Sequence, residues 1–400
     1  MSQHRLLVVS PRFLFPLDQG GRIRTANTLR HMKGGAFHIT LASPAPPDAA
    51  RFAAETRGIC DSFLSWPEPR MSRLGKLLAL AGRLPVSAAT DVSAPGRAVV
   101  AQAIAARPDV VLIDFPHAAV LAPRTLDVPA LVFTHNVEAE ILERHARVST
   151  GLRRVVWADQ ARKMRRFEGE VLRRFRTAIA VSERDAAALR HDYGLTRVDA
   201  IETGVDTEYY VFHARPPPEE GGTVVFTGSM DSRSNIDGIG FLMDEVWPHV
   251  VAARPRARAL VVGRNPPDAL VATARTRGYD WHFTGFVDDV RPHVQAAHAY
   301  AIPLRVGSGT RIKVFEAMAM GCPVVSTTLG AEGLDVTHGQ DILIADDAKP
   351  FADGLLKLLD DTEAATRQAQ AARDLVDHRF AWPIVTRHFE QICLNALAES

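Results

Sequence analysis

The amino-acid sequence predicts an α/β protein made of two doubly wound domains, each built on its own parallel sheet. Three observations lead there. The chain has 400 residues, too many for one ordinary core when domains run to roughly 100–200 residues. Short apolar runs of strand length alternate with helical patterns, as expected where parallel strands are buried on both faces. The alternation comes in two series, separated by RPPPEEGG at 215–222, which suits neither a helix nor a central strand.

In the first series the expected strands are 6–10, 38–41, 110–113, 130–133 and 178–181. In the second they are 224–226, 259–262, 282–283, 299–303, 324–326 and 342–344. The junction is expected between Gly204 and Gly222. This divides the chain into a first domain over 1–210, a second over 211–380 and a terminal helix over 381–400. Trp382-Pro383 interrupts the last helical stretch, and a break there would let the final helix turn back toward the first domain.

Hydrophobic residues make up 46% and charged residues 23%, the composition of an ordinary globular protein. The net charge of +1 excludes a globally basic nucleic-acid binder. Cys60, Cys322 and Cys393 are odd in number and far apart, which points to neither a disulfide framework nor a zinc site and fits a reducing cytoplasm. The N-terminal MSQHRLLVVS is too short an apolar run for a signal peptide or a membrane span. The expected location is cytoplasmic, at most peripheral on the inner face of the plasma membrane. One stretch supports the peripheral part. Residues 151–177 carry nine Arg/Lys against three Asp/Glu, interleaved with Val155, Val156, Trp157, Met164, Phe167 and Leu172. A basic amphipathic helix of that kind suits an anionic membrane surface, though it equally suits a solvated helix packed by its apolar stripe.

The most informative segment is PLRVGSGTRIKVFEAMAMGCPVVST, residues 303–327. A strand ends near Leu304, and Gly307, Ser308, Gly309 and Thr310 form a loop. A helix then carries Arg311, Lys313 and Glu316 and stops at Gly321 and Pro323. Free backbone N–H groups and the positive helix end favour an anion there. Arg311 adds a bidentate fork and Lys313 a compact charge, so a diphosphate is the expected ligand. Glu316 follows Lys313 by about one turn, placed to accept from two neighbouring sugar hydroxyls. Gly307–Ile312 is not the dinucleotide fingerprint, because Ile312 stands where its last glycine would be.

Taken whole, the segment resembles the donor-site signature of the family-4 retaining glycosyltransferases of the GT-B fold, closest to a bacterial exopolysaccharide and surface-polysaccharide branch. The resemblance extends through PLDQGGRIR at 16–24, THNVE at 134–138, VSER at 181–184, Gly204-Val205-Asp206, FTGSMDSRSNID at 226–237 and TGFVDD at 284–289. It implies two Rossmann-like domains facing across a cleft, with the acceptor on the side of the first and the nucleotide sugar in the second. By the same resemblance Gly20 and Gly21 belong to a loop near the diphosphate and the acceptor, with Arg24 a contact to either. His135, with Asn136, lies beside the donor sugar. Ser182 and Glu183 shape the cleft, Phe286 and Val287 flank the base, and Gly228 closes the first strand of the second domain.

Two departures bear on the donor contacts. Ser308 stands where the family's common pattern has an earlier glutamate, and GSMDSRSNID stands where many relatives carry an Arg and a Lys, leaving Arg233 as that stretch's base. Arg311 and Lys313 are then expected to neutralise most of the diphosphate charge. The implied reaction moves a hexosyl group from a nucleotide-diphosphate sugar to a saccharide or lipid-linked acceptor with retention of configuration. It needs no enzyme nucleophile, no metal and no cofactor beyond the donor. Two other activities fit the same fold: a nucleotide-sugar 2-epimerase, and a catalytically silent donor-binding or scaffold subunit.

Overall fold

The computed structural model describes residues 3–218, 221–306 and 312–398. Two compact units divide the chain, 1–204 with 382–400, and 205–381. Each unit is a parallel sheet with apolar helices on both faces.

Among the described residues the first sheet has seven strands: β1 (His4–Val9), β2 (Phe37–Ala45), β3 (Ser62–Pro67), β4 (Val110–Asp114), β5 (Ala130–Phe133), β6 (Thr177–Ala180) and β7 (Val198–Ala200). Their order is β3-β2-β1-β4-β5-β6-β7, with every pairing parallel. The period-two alternation of β1 explains its unbroken apolar run. Leu6 and Val8 join one core with Leu29, Phe133 and Phe389, while Leu7 and Val9 join another with Val111, Met164 and Phe167. Both faces are covered from Leu6 to Val9, which is why those four positions are apolar, while His4 and Arg5 at the strand's start are exposed.

The second sheet comprises β8 (Thr223–Thr227), β9 (Arg258–Val262), β10 (Trp281–Gly285), β11 (Ala299–Ile302), β12 (Val324–Ser326) and β13 (Leu343–Ile344). Its order is β10-β9-β8-β11-β12-β13, again parallel. Val225, Tyr300 and Ile302 face Val314, Phe315 and Met318 on one side, and Val224, Phe226 and Ala301 face Trp247, Phe351 and Leu355 on the other. In both sheets strand order reverses direction beside the first strand, at β1/β4 and β8/β11. Open α/β sheets bind ligands beyond the strand C-termini at such a switch point.

The long C-terminal helical stretch breaks at Ala381, whose backbone is extended, between a π-turn at Val376–Phe380 and the Trp382–Ala398 helix. That last helix buries Trp382, Val385, Phe389 and Ile392 in the first unit's core, each worth about 1.5–3 kcal/mol when removed from water. Gly204 is where it fits. A Cβ there would lie 2.3 Å from the Trp382 ring. The second unit's ends are tied together, since Val205 N donates to Phe380 O at 2.7 Å and Val205 pairs with Ala381 in a parallel bridge.

Candidate functional site

In the second unit the described part of the signature helix is Ile312–Ala319. Gly307, Ser308, Gly309, Thr310 and Arg311 lie outside the described residues. Val314, Phe315 and Met318 bury this helix against the sheet, which leaves Lys313 and Glu316 at its margin. Lys313 Nζ donates to Thr227 O at the end of β8 (3.2 Å), lies 3.5 Å from Asn235 Oδ1, and sits 4.3 Å from the centroid of the Phe226 ring. It is thereby fixed over the switch point. Glu316 Oε1 accepts from Tyr210 Oη at 2.9 Å. Burial raises the Glu316 carboxyl above the ordinary range, while the Tyr210 hydrogen bond and Lys313 pull the other way. Lacking its own solvation, the carboxylate is primed to accept further donors.

Beyond β8 the chain turns at Gly228 and Ser229. Asn235 Nδ2 donates to Ser229 O at 2.7 Å, which ties this turn to the Lys313 contact. Gly263, just past β9, passes so close that a Cβ would lie 2.0 Å from Gly228 O. Only glycine allows that approach. The approach carries Arg264 to Ser229: its Nε donates to Ser229 Oγ (3.2 Å) and to Asp231 Oδ2 (2.7 Å), and Asn265 holds the other oxygen of Asp231. A guanidinium thus stands beside the very turn whose expected bases are missing from the sequence, and it comes from the neighbouring strand. Nothing in the 226–237 segment could have revealed it.

Phe286 follows β10 and is 72% exposed, whereas Val287 is half-buried and packs against the core below it. Asp289 pairs with Arg291 at 2.7 Å, and the Arg291 guanidinium lies 3.7 Å over the Tyr209 ring.

In the first unit the predicted residues gather differently. Gly20 and Gly21 open the Gly20–Met32 helix. Arg24 does not project from it. The side chain is 2% exposed, donates to Thr203 Oγ1 at 3.0 Å, and reaches His135 Nδ1 at 3.2 Å. His135, two residues past β5, is equally buried and places Nε2 2.7 Å from Asp114 Oδ1. Guanidinium only donates, so Nδ1 must accept and Nε2 carries the proton toward Asp114. The ring is neutral, in keeping with a pKa lowered chiefly by burial; burial likewise brings Arg24 down to about 10. Asp114 also accepts from Ser10 Oγ and Thr25 Oγ1 at 2.8 and 2.9 Å. Both ring nitrogens of His135 are therefore engaged within the first unit, and Phe115 stacks on its face at 4.0 Å between centroids. Phe115 adopts φ 67°, a conformation rare for a non-glycine residue and typical of constrained functional loops.

Asn136 donates to Glu138 at 3.3 Å, and exposed Glu183 pairs with Arg190. The N-terminus of the Glu138–Val148 helix is held by Glu168, which accepts from the backbone N–H groups of Glu138 and Ala139 and from Tyr193 Oη. Burial pushes the Glu168 carboxyl up to about 7. Asp114, Glu168 and Thr203 escape a reading of the sequence, although the carboxylate closing the apolar run VVLID is a usable signal.

The basic stretch forms the Gly151–Leu172 helix, but its central cations are occupied. Arg162 pairs with Asp159, Arg165 with Glu143 and Asp192, Lys163 with Asp159 and Leu80 O, and Arg166 with Arg83 O. Among the described residues no helix is long and apolar enough to cross a membrane.

The comparisons with known proteins agree with this architecture. A sequence family described as Glycosyltransferase Family 4 matches residues 19–209, and one described as Glycosyl transferases group 1 matches residues 221–361. The chain belongs to the family-4 glycosyltransferases. It is 30% identical over 179 residues to a phosphatidyl-myo-inositol mannosyltransferase of Mycolicibacterium smegmatis, covering 44% of this chain and 45% of the relative. It is 26% identical over 302 residues to a glycogen synthase of Mycobacterium tuberculosis, covering 72% and 69%. The chain spans about half the length of the mannosyltransferases it matches. Among solved structures, a sucrose-phosphate synthase of Thermosynechococcus elongatus superposes with a TM-score of 0.70 at 16% identity over 100% of both chains. HepE of Anabaena in complex with UDP gives 0.68 at 16% identity over 98% of this chain and 100% of its own. These likenesses establish the GT-B fold: two Rossmann-like parallel-sheet domains.

Proposed function

We propose that the protein transfers a hexosyl group from a nucleotide-diphosphate sugar to a saccharide or lipid-linked acceptor with retention of configuration, in the synthesis of a polysaccharide or glycoconjugate. The observation that carries this reading is Lys313 and Glu316 on one buried helix at the β8/β11 switch point, with Arg264 beside Ser229. The cations face the region where a diphosphate would bind, and Glu316 offers a poorly solvated carboxylate to a sugar hydroxyl pair. As the anomeric carbon–oxygen bond breaks, charge grows on the departing diphosphate. Cations already fixed in place stabilise it without reorganising. Lys313 and Arg264, with Arg311 of the same signature, supply that charge from side chains, so the reaction is proposed to need neither a metal nor a further cofactor.

The relatives support the substrate classes. One acts on phosphatidyl-myo-inositol and another is a glycogen synthase, and HepE has been crystallised with UDP and with UDP-glucose. A lipid-linked acceptor would place the protein at the inner surface of the plasma membrane. In the first unit His135 is proposed to line the donor-sugar side as a neutral, stacked ring held by Asp114 and Arg24.

The test is calorimetry with UDP, GDP and ADP, followed by turnover of the matching sugar donor and proton NMR of the product's anomeric centre. Glu316→Ala should remove most transfer while leaving the fold intact. Turnover of that variant at the wild-type rate, or an inverted product, would refute the assignment.

A further inference from the structure

The Arg73–Ala81 helix of the first unit buries none of its nine residues. Leu74, Leu77 and Leu78 are 67%, 62% and 67% exposed, and their spacing puts them on one face. Exposed Arg70 and Arg73 stand before and at the start of the helix and exposed Arg83 just after its end, with Lys76 on the side away from the leucines, and no Asp or Glu occurs between residues 69 and 90. None of these four cations pairs with another described residue, unlike the central cations of the Gly151–Leu172 helix. The helix is nevertheless held firmly. Ser72 Oγ accepts from Gly75 N at 3.0 Å at its start. At its end Lys163 donates to Leu80 O, and just beyond it Arg166 donates to Arg83 O, where cations complement the helix dipole. The bases of the long helix thus anchor the short one.

An exposed leucine triplet is costly to keep in water unless something covers it. We propose that this helix docks the protein on an anionic bilayer, with the three leucines entering the boundary between head groups and acyl chains and the flanking Arg70, Arg73 and Arg83 lying against lipid phosphates. Uncompensated positive charge at both ends of an apolar face matches a uniformly negative plane. The start of the Gly151–Leu172 helix repeats the combination: Leu152 and Val155 are 79% and 64% exposed beside Arg153 and Arg154. The inference deepens the membrane-surface part of the proposed function and does not depend on the transfer chemistry.

The test uses the full chain and vesicles of phosphatidylcholine alone or mixed with phosphatidylglycerol. Wild type should sediment with the mixed vesicles only, and raised salt should release it. Leu74→Ser/Leu77→Ser/Leu78→Ser should lower partitioning roughly a hundredfold or more, and Arg70→Gln/Arg73→Gln should lower it at least about tenfold. Leu77→Trp should shift its emission to the blue on mixed vesicles, read as a difference against the five native tryptophans. Equal sedimentation of wild type and the leucine variant, or no shift from the tryptophan, would overturn the proposal. So would vesicle-free self-association that the leucine variant abolishes, because a second copy would then be what covers the face. UDP and GDP calorimetry on the same variants keeps the two proposals apart: lost vesicle binding with unchanged nucleotide affinity concerns the patch alone, and absent nucleotide binding in wild type concerns the transfer function alone.

Discussion

Tyr210→Phe isolates one hydrogen bond at the Ile312–Ala319 helix. Its hydroxyl donates to Glu316 Oε1 at 2.9 Å, and burial already holds that carboxyl above its ordinary range. A hydrogen bond to a charged group contributes about 1.5–3 kcal/mol, and it favours the ionised form. Deleting it should raise the Glu316 pKa further, because the ionised form loses a donor that now stabilises it. Lys313 remains and limits the rise. If the carboxylate form binds the donor sugar, activity is lost as pH falls through this pKa. The acid limb of kcat/KM in the variant should therefore move to higher pH by the same amount, with little change on the alkaline plateau. Carbon-13 NMR titration of labelled glutamate, with Glu316→Gln to assign the resonance, measures the pKa directly. An unchanged Glu316 pKa would show that the Tyr210 contact does not set its charge. A shifted pKa with an unmoved acid limb would remove Glu316 from the reaction.

Three further outcomes follow from other contacts. Glu168 has a folded pKa of about 7 against 4.5, so the native state binds more protons between those values and stability falls as pH rises through that window, by at most about 3 kcal/mol. Glu168→Gln should flatten that slope in chemical denaturation, and identical slopes for variant and wild type would contradict the burial argument. Gly263→Ala forces a methyl group to within 2.0 Å of Gly228 O, and should cost about 1–3 kcal/mol or more in stability together with weaker nucleoside-diphosphate binding; an unperturbed Tm would mean that the two strand ends separate easily. Chelation with EDTA should leave turnover unchanged, and a loss reversed by manganese or magnesium would refute the side-chain account of charge neutralisation.

The buried centre of each sheet was legible because both faces are covered, so strands such as Ala130–Phe133 and Val324–Ser326 stand out as short apolar runs. The edges were not. β3, SFLSWP, is half-exposed and ends in proline, and β7 is three residues long with an aspartate at its centre, so neither has a pattern to detect. Lys313 and Glu316 could be placed from one contiguous segment because a helix start and its periodicity are local. Arg264 could not, since it reaches Ser229 only through the pairing of β8 with β9 and the close pass at Gly263. The inward turn of Arg24 was hidden for the same reason: its partner Thr203 is 179 residues away. Surface chemistry was partly legible. Counting charges pointed to residues 151–177, but counting does not tell a paired cation from an unpaired one, and the short leucine helix held by that segment carries the unpaired set.

The bridge between Val205 and Ala381 has a topological meaning. The second unit is an insertion, entered after Gly204 and left before Trp382, with its two ends clasped side by side. A segment whose termini already meet pays little loop-closure entropy when its flanks are removed. Residues 205–381 can thus be cut out as a self-contained module, while the complementary piece becomes continuous by a short linker from Gly204 to Trp382. A gene arranged this way can exchange the whole second unit by replacing one uninterrupted block, without disturbing the helix that completes the core of the other half.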